Sequence, residues 1–228
     1  MADPANVIID QSGGEFRLGN RQLRLSGHLP SARISLALSG TAEPALAGAT
    51  YGFRISGAAE GGESRRPSVG IPSAVTTGSF DDAALGIRGA EITLSHDWPD
   101  GLTAAWRLRL ADDEPWLLLD LDLENRGTHP IVVQSLQPLS VLPSIGGRLA
   151  RNSPSAWSYY TQGWQSWSPT APRGAGDSPL QSRPPMSGPR RPPADTHPSH
   201  WVTLLPIGER STSLLAGYLT LRDIFGEL

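Results

Sequence analysis

Leu102-Thr103-Ala104-Ala105-Trp106-Arg107-Leu108-Arg109-Leu110 decides the fold class of this chain. Side chains alternate between the two faces of a β-strand, so Leu102, Ala104, Trp106, Leu108 and Leu110 share one face while Thr103, Arg107 and Arg109 share the other. An α-helix would scatter the same five apolar residues around its axis. The next run repeats the pattern: Leu117, Leu119, Leu121 and Leu123 point one way, Asp120, Asp122 and Glu124 the other. Ala111-Asp112-Asp113-Glu114-Pro115 between them has the length and composition of a hairpin loop, and the outward arginines of the first strand are expected to face the outward acids of the second.

Working outward, Asn125-Arg126-Gly127 supplies a turn, and Ile131-Val132-Val133 through Leu142 reads as a further strand. Upstream, Phe16 to Leu25, Ile34 to Leu38, Tyr51 to Ile55 and Ala90 to Leu94 are strand candidates bounded by Gly, Pro or Ser. Downstream, Ser213 to Leu221 is another. No segment of a dozen residues keeps a helical apolar period, and no internal repeat is visible. Short strands with frequent turns favour an all-β fold, a large antiparallel β-sandwich, over a closed barrel. Two excursions break the pattern. Ala58 to Gly70 is rich in Gly, Glu and Arg and reads as an exposed loop. Residues 169–198 hold nine of the 21 prolines and are expected to form a long loop or to be partly disordered, without a sheet ladder.

A chain of 228 residues can bury a full core, and one domain spanning 1–228 is expected. The formal charge of -3, with only the short basic pairs Arg65-Arg66 and Arg190-Arg191, gives a nucleic-acid backbone no continuous cationic surface. Without cysteine there is no disulfide framework, thiolate metal site or cysteine nucleophile. All 19 basic residues are arginine, which removes Schiff-base chemistry. The start Met1-Ala2-Asp3-Pro4-Ala5 lacks a basic, then apolar leader, and no apolar stretch reaches membrane-spanning length, so a cytoplasmic location without membrane contact is expected.

Chemistry gathers at Tyr159-Tyr160-Thr161-Gln162-Gly163-Trp164-Gln165-Ser166-Trp167-Ser168. The weakly apolar C–H face of a pyranose rests on indole or phenol rings, and its hydroxyls need partners such as Gln and Ser. Core packing of the same aromatics is the competing reading. The order and spacing of Gly163-Trp164-Gln165-Ser166-Trp167-Ser168 resemble the NGWQSWS signature in the N-terminal region of family 36 glycoside hydrolases, the α-galactosidases and α-N-acetylgalactosaminidases. The chain departs from it at Gln162, where the signature has Asn. Ser199-His200-Trp201-Val202, then Leu215-Ala216-Gly217-Tyr218-Leu219-Thr220 with Phe225-Gly226, resemble that family's following strands.

The resemblance implies a galactose-mutarotase-like supersandwich that lines a sugar site without performing catalysis. It also implies that the chain is incomplete at its C-terminus, stopping short of a (β/α)8 barrel that carries both catalytic aspartates, one within a Lys-Trp-Asp motif. This lysine-free chain has no such motif, and Asp97, Asp120, Asp122 and Asp177 sit in no pattern that would make them the paired carboxylates of glycoside hydrolysis. No catalytic residue is therefore assigned. The substrate-binding candidates are Trp164, Gln165, Ser166 and Trp167, with Tyr160 beside them. Indoles three positions apart on an extended strand face opposite ways, so Trp164 is assigned to the sugar and Trp167 to the core unless the chain bends near Gly163.

The expected partner is an α-galactoside or related carbohydrate, with a second copy or the barrel domain as protein partner. No metal or cofactor is expected: His197-Pro198-Ser199-His200 with Asp195 can be drawn as a metal site but lacks further ligands. A serine-hydrolase elbow is excluded because Ser166 occupies the fourth rather than the third place of its pentapeptide. Gly61-Gly62 and Gly146-Gly147 open no helix after a strand, so phosphate cradling has no support. Two alternatives remain in play. One is a standalone carbohydrate-binding β-sandwich module. The other is an aldose epimerase, which needs a His and a carboxylate in one pocket, here His96 with Asp97 or Glu91.

Overall fold

The computed structural model describes residues 6–10, 13–57, 70–149, 158–162, 170–174, 176–177, 199, 202–206 and 213–219. The chain divides into two compact units, Met1–Leu149 and Ala150–Leu228. All the regular structure described is β-strand apart from two single-turn 3-10 segments at Leu29–Ser31 and Pro143–Ile145.

The first unit is a β-sandwich of two antiparallel sheets. The larger sheet is built from β1 (Asn6–Asp10), β2 (Glu15–Gly19), β3 (Leu23–His28), β4 (Arg33–Leu38), β5 (Leu46–Gly57) and β10 (Ile131–Ser140), in that order, with β11 (Arg148–Leu149) on the first residues of β5. The smaller sheet is the meander β6 (Ala74–Asp82), β7 (Ile87–Asp97), β8 (Leu102–Ala111) and β9 (Leu117–Asn125). Phe16, Leu18, Leu25, Ile34, Leu46 and Phe53 from one sheet meet Ile92, Leu94, Trp106, Leu108 and Leu110 from the other in a single core. The Trp106 indole N–H crosses between sheets to the carbonyl of Pro138 at 2.8 Å, so its one polar atom is satisfied while the ring is buried.

The β8–β9 hairpin forms as its alternation requires. Arg107 stands opposite Asp120 in register. Its guanidinium reaches Asp122 at 2.9 Å, and Arg109 reaches Asp120 at 2.8 Å. Arg109 also lies over the Phe80 ring, 5.2 Å from its centroid.

Several expectations need correction. Phe16 to Leu25 is two strands, because the Asn20 side-chain oxygen accepts the backbone N–H groups of Gln22 (2.8 Å) and Leu23 (2.7 Å), a local turn that competes with an extended chain. β1 and β6 were not expected. β6 buries little and shows no alternation; its pairing with β7 makes it a strand. The strand from Ile131 ends at Ser140, before Leu142. Pro138 is tolerated within it because the register slips between Gln137 and Ser140.

The second unit is a four-stranded antiparallel sheet in the order β13 (Ala171–Gly174), β12 (Ser158–Thr161), β14 (Val202–Pro206), β15 (Ser213–Gly217). β13 lies inside the proline-rich stretch expected to form only loop. It is the edge strand of its sheet, where the missing N–H of Pro172 costs no ladder bond if it faces outward. β15 ends at Gly217 rather than Leu221. Most of Ala58 to Gly70 falls outside the described residues.

Candidate functional site

The aromatic segment starts at the end of β12 and finishes at the start of β13. Thr161 pairs with Ala171, Tyr160 with Pro172 and Tyr159 with Arg173, so residues 162–170 leave and re-enter one end of the sheet at neighbouring strands. Trp164, Gln165, Ser166 and Trp167 lie outside the described residues; what the structure places is their two points of attachment.

Those attachment points are held by three hydroxyls, two of them on buried residues. Ser199, 2 % exposed, accepts the backbone N–H of Gln162 at 2.8 Å and donates to the carbonyl of Val202 at 2.6 Å, clamping the exit of β12 to the entry of β14. Thr161, also buried, donates to the Ala171 carbonyl at 3.2 Å. Thr203 donates to the Tyr160 carbonyl at 2.7 Å. A hydroxyl that both accepts and donates satisfies two backbone groups at once, which is what a sheet end needs where the ladder stops.

Tyr160, the one candidate site residue within the described part, is half-buried in β12. Register puts it beside Pro172 on one side and Leu204 on the other, with Leu215 beyond. Cross-strand neighbours share a face, so Tyr160 belongs to an apolar face whose Leu204 and Leu215 are exposed. Tyr159 takes the opposite face beside Arg173. Burial raises its phenol pKa, with the Arg173 charge opposing. Asp177, unplaced by any sequence pattern, closes a turn: its carboxylate accepts the Gly174 N–H at 2.8 Å, and its own N–H donates to the Gly174 carbonyl at 3.0 Å.

The other titratable candidates separate. His96 is buried in the first unit, with Nδ1 2.8 Å from the Tyr51 hydroxyl and Nε2 3.0 Å from the carbonyl of Gly70. A carbonyl only accepts, so Nε2 carries the proton and Nδ1 of the neutral ring accepts from Tyr51. Phe53, Trp98 and Trp106 surround the pair. Burial lowers the His96 pKa from its ordinary 6.5, against smaller upward effects of the Gly70 hydrogen bond and the Asp97 charge.

Asp97 and Glu91 stand on the opposite, outer face of β7: residues 90, 92, 94 and 96 are buried, whereas 91, 93 and 95 are half-buried and 97 exposed. His96 and either carboxylate thus do not share a pocket, and the epimerase pairing has no geometric basis. Asp97 is instead held by the Ser73 and Thr103 hydroxyls, which lower its pKa, with Thr103 at 2.8 Å. Asp120 and Asp122 serve the arginine ladder. Among the described residues no group of three or more His, Cys, Asp or Glu could hold a metal ion, and no helix is long and apolar enough to cross a membrane. His197, His200 and Asp195 fall outside the described residues.

The polar clamp at Ser199 escaped sequence reasoning, which noted the residue only as part of a strand-like tetrapeptide. No family model matches the chain, and no curated protein or solved structure was found to be similar to it.

Proposed function

We propose that this chain is the non-catalytic β-sandwich part of an α-galactosidase-like glycoside hydrolase, supporting and partly lining a sugar site whose reacting carboxylates belong to a barrel domain. The observation that carries the reading is the pairing of Thr161 with Ala171. It tethers both ends of Gly163-Trp164-Gln165-Ser166-Trp167-Ser168, the segment resembling the family signature, to one end of an antiparallel sheet. The two indoles, the glutamine and the serines of that segment have the chemistry to take a pyranose face and its hydroxyls. The four aspartates that the sequence reading weighed as carboxylate candidates support the non-catalytic half of the reading, since Asp97, Asp120, Asp122 and Asp177 are each engaged in a local hydrogen bond or ion pair.

The test follows tryptophan emission while galactose, melibiose and raffinose are titrated into the chain and into its Trp164→Ala variant, with an α-galactoside hydrolysis assay alongside. Weak binding that Trp164→Ala abolishes, without turnover, is the expected result. Turnover by the chain itself would reject the non-catalytic role, and a response unchanged in Trp164→Ala would reject that indole as the sugar-facing one. Tight, saturable binding without turnover would shift the reading to a standalone carbohydrate-binding module.

A further inference from the structure

We propose that the solvent face of β2, β3 and β4 binds an acidic oligosaccharide, with its carboxylates on Arg17, Arg24 and Arg33 and its hydroxyls on Ser26, Ser35 and Glu15. These six residues line an open depression of about 600 Å³ on the larger sheet of the first unit. Strand pairing assembles it. Arg17, Ser26 and Ser35 are in register across the three strands, as are Glu15, His28 and Arg33, and Arg24 lies two residues from Ser26 on the same face. The intervening Phe16, Leu18, Leu25, Ile34 and Leu36 are buried in the core, so the alternation that builds the sandwich turns the polar residues of this patch to the outer face, Glu15, Arg17 and Arg24 exposed and Ser26, Arg33 and Ser35 half-buried.

The charge balance distinguishes this face from the other sheet. On the smaller sheet Arg107 and Arg109 are met by Asp120, Asp122 and Asp82, two cations against three anions. Among the residues lining the β2–β3–β4 face, three arginines stand with one carboxylate, Glu15, which reaches Arg17 at 4.0 Å between largely exposed side chains. Arg24 donates to the Thr41 carbonyl at 2.9 Å and keeps other N–H groups free to donate. Arg33 has no carboxylate partner among the described residues, and its Nε is buried without a hydrogen-bond partner. In a chain of net charge -3 this is a local surplus of positive charge, and the arginine fork matches a carboxylate.

The lining holds no Trp, Tyr or Phe on which a neutral pyranose could stack, and its one ring, the imidazole of His28, is hydrogen-bonded to the Ser31 hydroxyl at 2.8 Å, so recognition rests on charge and hydroxyl bonding. Its volume falls within the range of small-molecule sites and exceeds what a single inorganic oxyanion fills. The face belongs to the first unit and does not depend on the galactoside reading, which concerns the second.

Calorimetric titration of the intact chain with trigalacturonate, neutral maltotriose and sodium sulfate tests the proposal. Trigalacturonate is expected to bind, weakening as salt is raised, and the neutral trisaccharide is expected not to. Arg33→Gln should weaken binding by about tenfold or more, and Ser26→Ala with Ser35→Ala by a smaller factor. Arg107→Gln, on the other sheet, should leave it unchanged. Thermal melts of each variant separate lost binding from lost folding; if Arg33→Gln does not fold, Arg24→Gln carries the same expectation. No binding, equal response to maltotriose, or affinity for sulfate matching trigalacturonate would overturn the proposal. So would binding that survives the arginine changes but is lost in Trp164→Ala, which would hand the ligand to the aromatic segment.

Discussion

His96 and Tyr51 form a buried polar pair with little slack. Both ring nitrogens are engaged, one by the Tyr51 hydroxyl and one by the Gly70 carbonyl, within a cage of aromatic rings. Tyr51→Phe keeps the ring but leaves Nδ1 of His96 without its donor, so unfolding in urea should show a loss of about 1–3 kcal/mol. The pair also sets a pH dependence. Because burial holds the His96 pKa below its ordinary 6.5, the unfolded chain takes up a proton that the native state refuses. Stability therefore declines as pH falls below about 6.5 and levels off only once the native ring is protonated. At the alkaline end, burial raises the Tyr51 pKa above its ordinary 10.0, so the unfolded chain releases a proton first and stability declines above about pH 10. Denaturation midpoints between pH 5 and 8 measure the first effect, and in His96→Gln the acid-side slope should flatten.

At the scale of elements, the β8–β9 hairpin shows how far alternation reaches. Its inward Leu and Trp and its outward Arg and Asp were all legible, because each side chain has only two choices of face and the apolar set picks one. Asp120 sits between Arg107 and Arg109, at 3.9 and 2.8 Å, whereas Asp122 meets Arg107 alone and is more exposed. Asp120→Ala should cost roughly 1 kcal/mol and Asp122→Ala under about 0.5 kcal/mol, both shrinking in high salt, as read from denaturant midpoints. β6 and β13 were not legible. An edge strand with few buried residues carries no alternation, and prolines that would break an inner strand are harmless at an edge. The split of Phe16 to Leu25 turned on one carboxamide, that of Asn20, whose choice between solvent and its own backbone is local chemistry that periodicity does not record.

For the whole molecule, the first unit closes its own core: both sheets of the sandwich, and the Trp106 bond that ties them, fall within Met1–Leu149. A chain ending at Leu149 should therefore unfold in one cooperative transition. Tryptophan emission, to which the fully buried Trp106 contributes beside Trp98 and Trp116, should shift to the red in step with loss of far-ultraviolet circular dichroism; a gradual, non-coincident change would show that the unit needs the rest of the chain. Alternating leucines and arginines, frequent turns and the absence of helical periods determined the all-β class and the core of the smaller sheet, because face selection depends only on residues two apart. The sequence also singled out the aromatic segment as the candidate for sugar contact, which remains a proposal. Tertiary structure alone decided that this segment begins and ends at one sheet end, that His96 turns away from Asp97 and Glu91, and that three arginines from separate strands gather on one surface. The first and third depend on turns and pairing register, Thr161 with Ala171 and Arg17 with Ser26 and Ser35, which alternation of faces does not fix, and the second on β7 running as far as Asp97 rather than ending at Leu94.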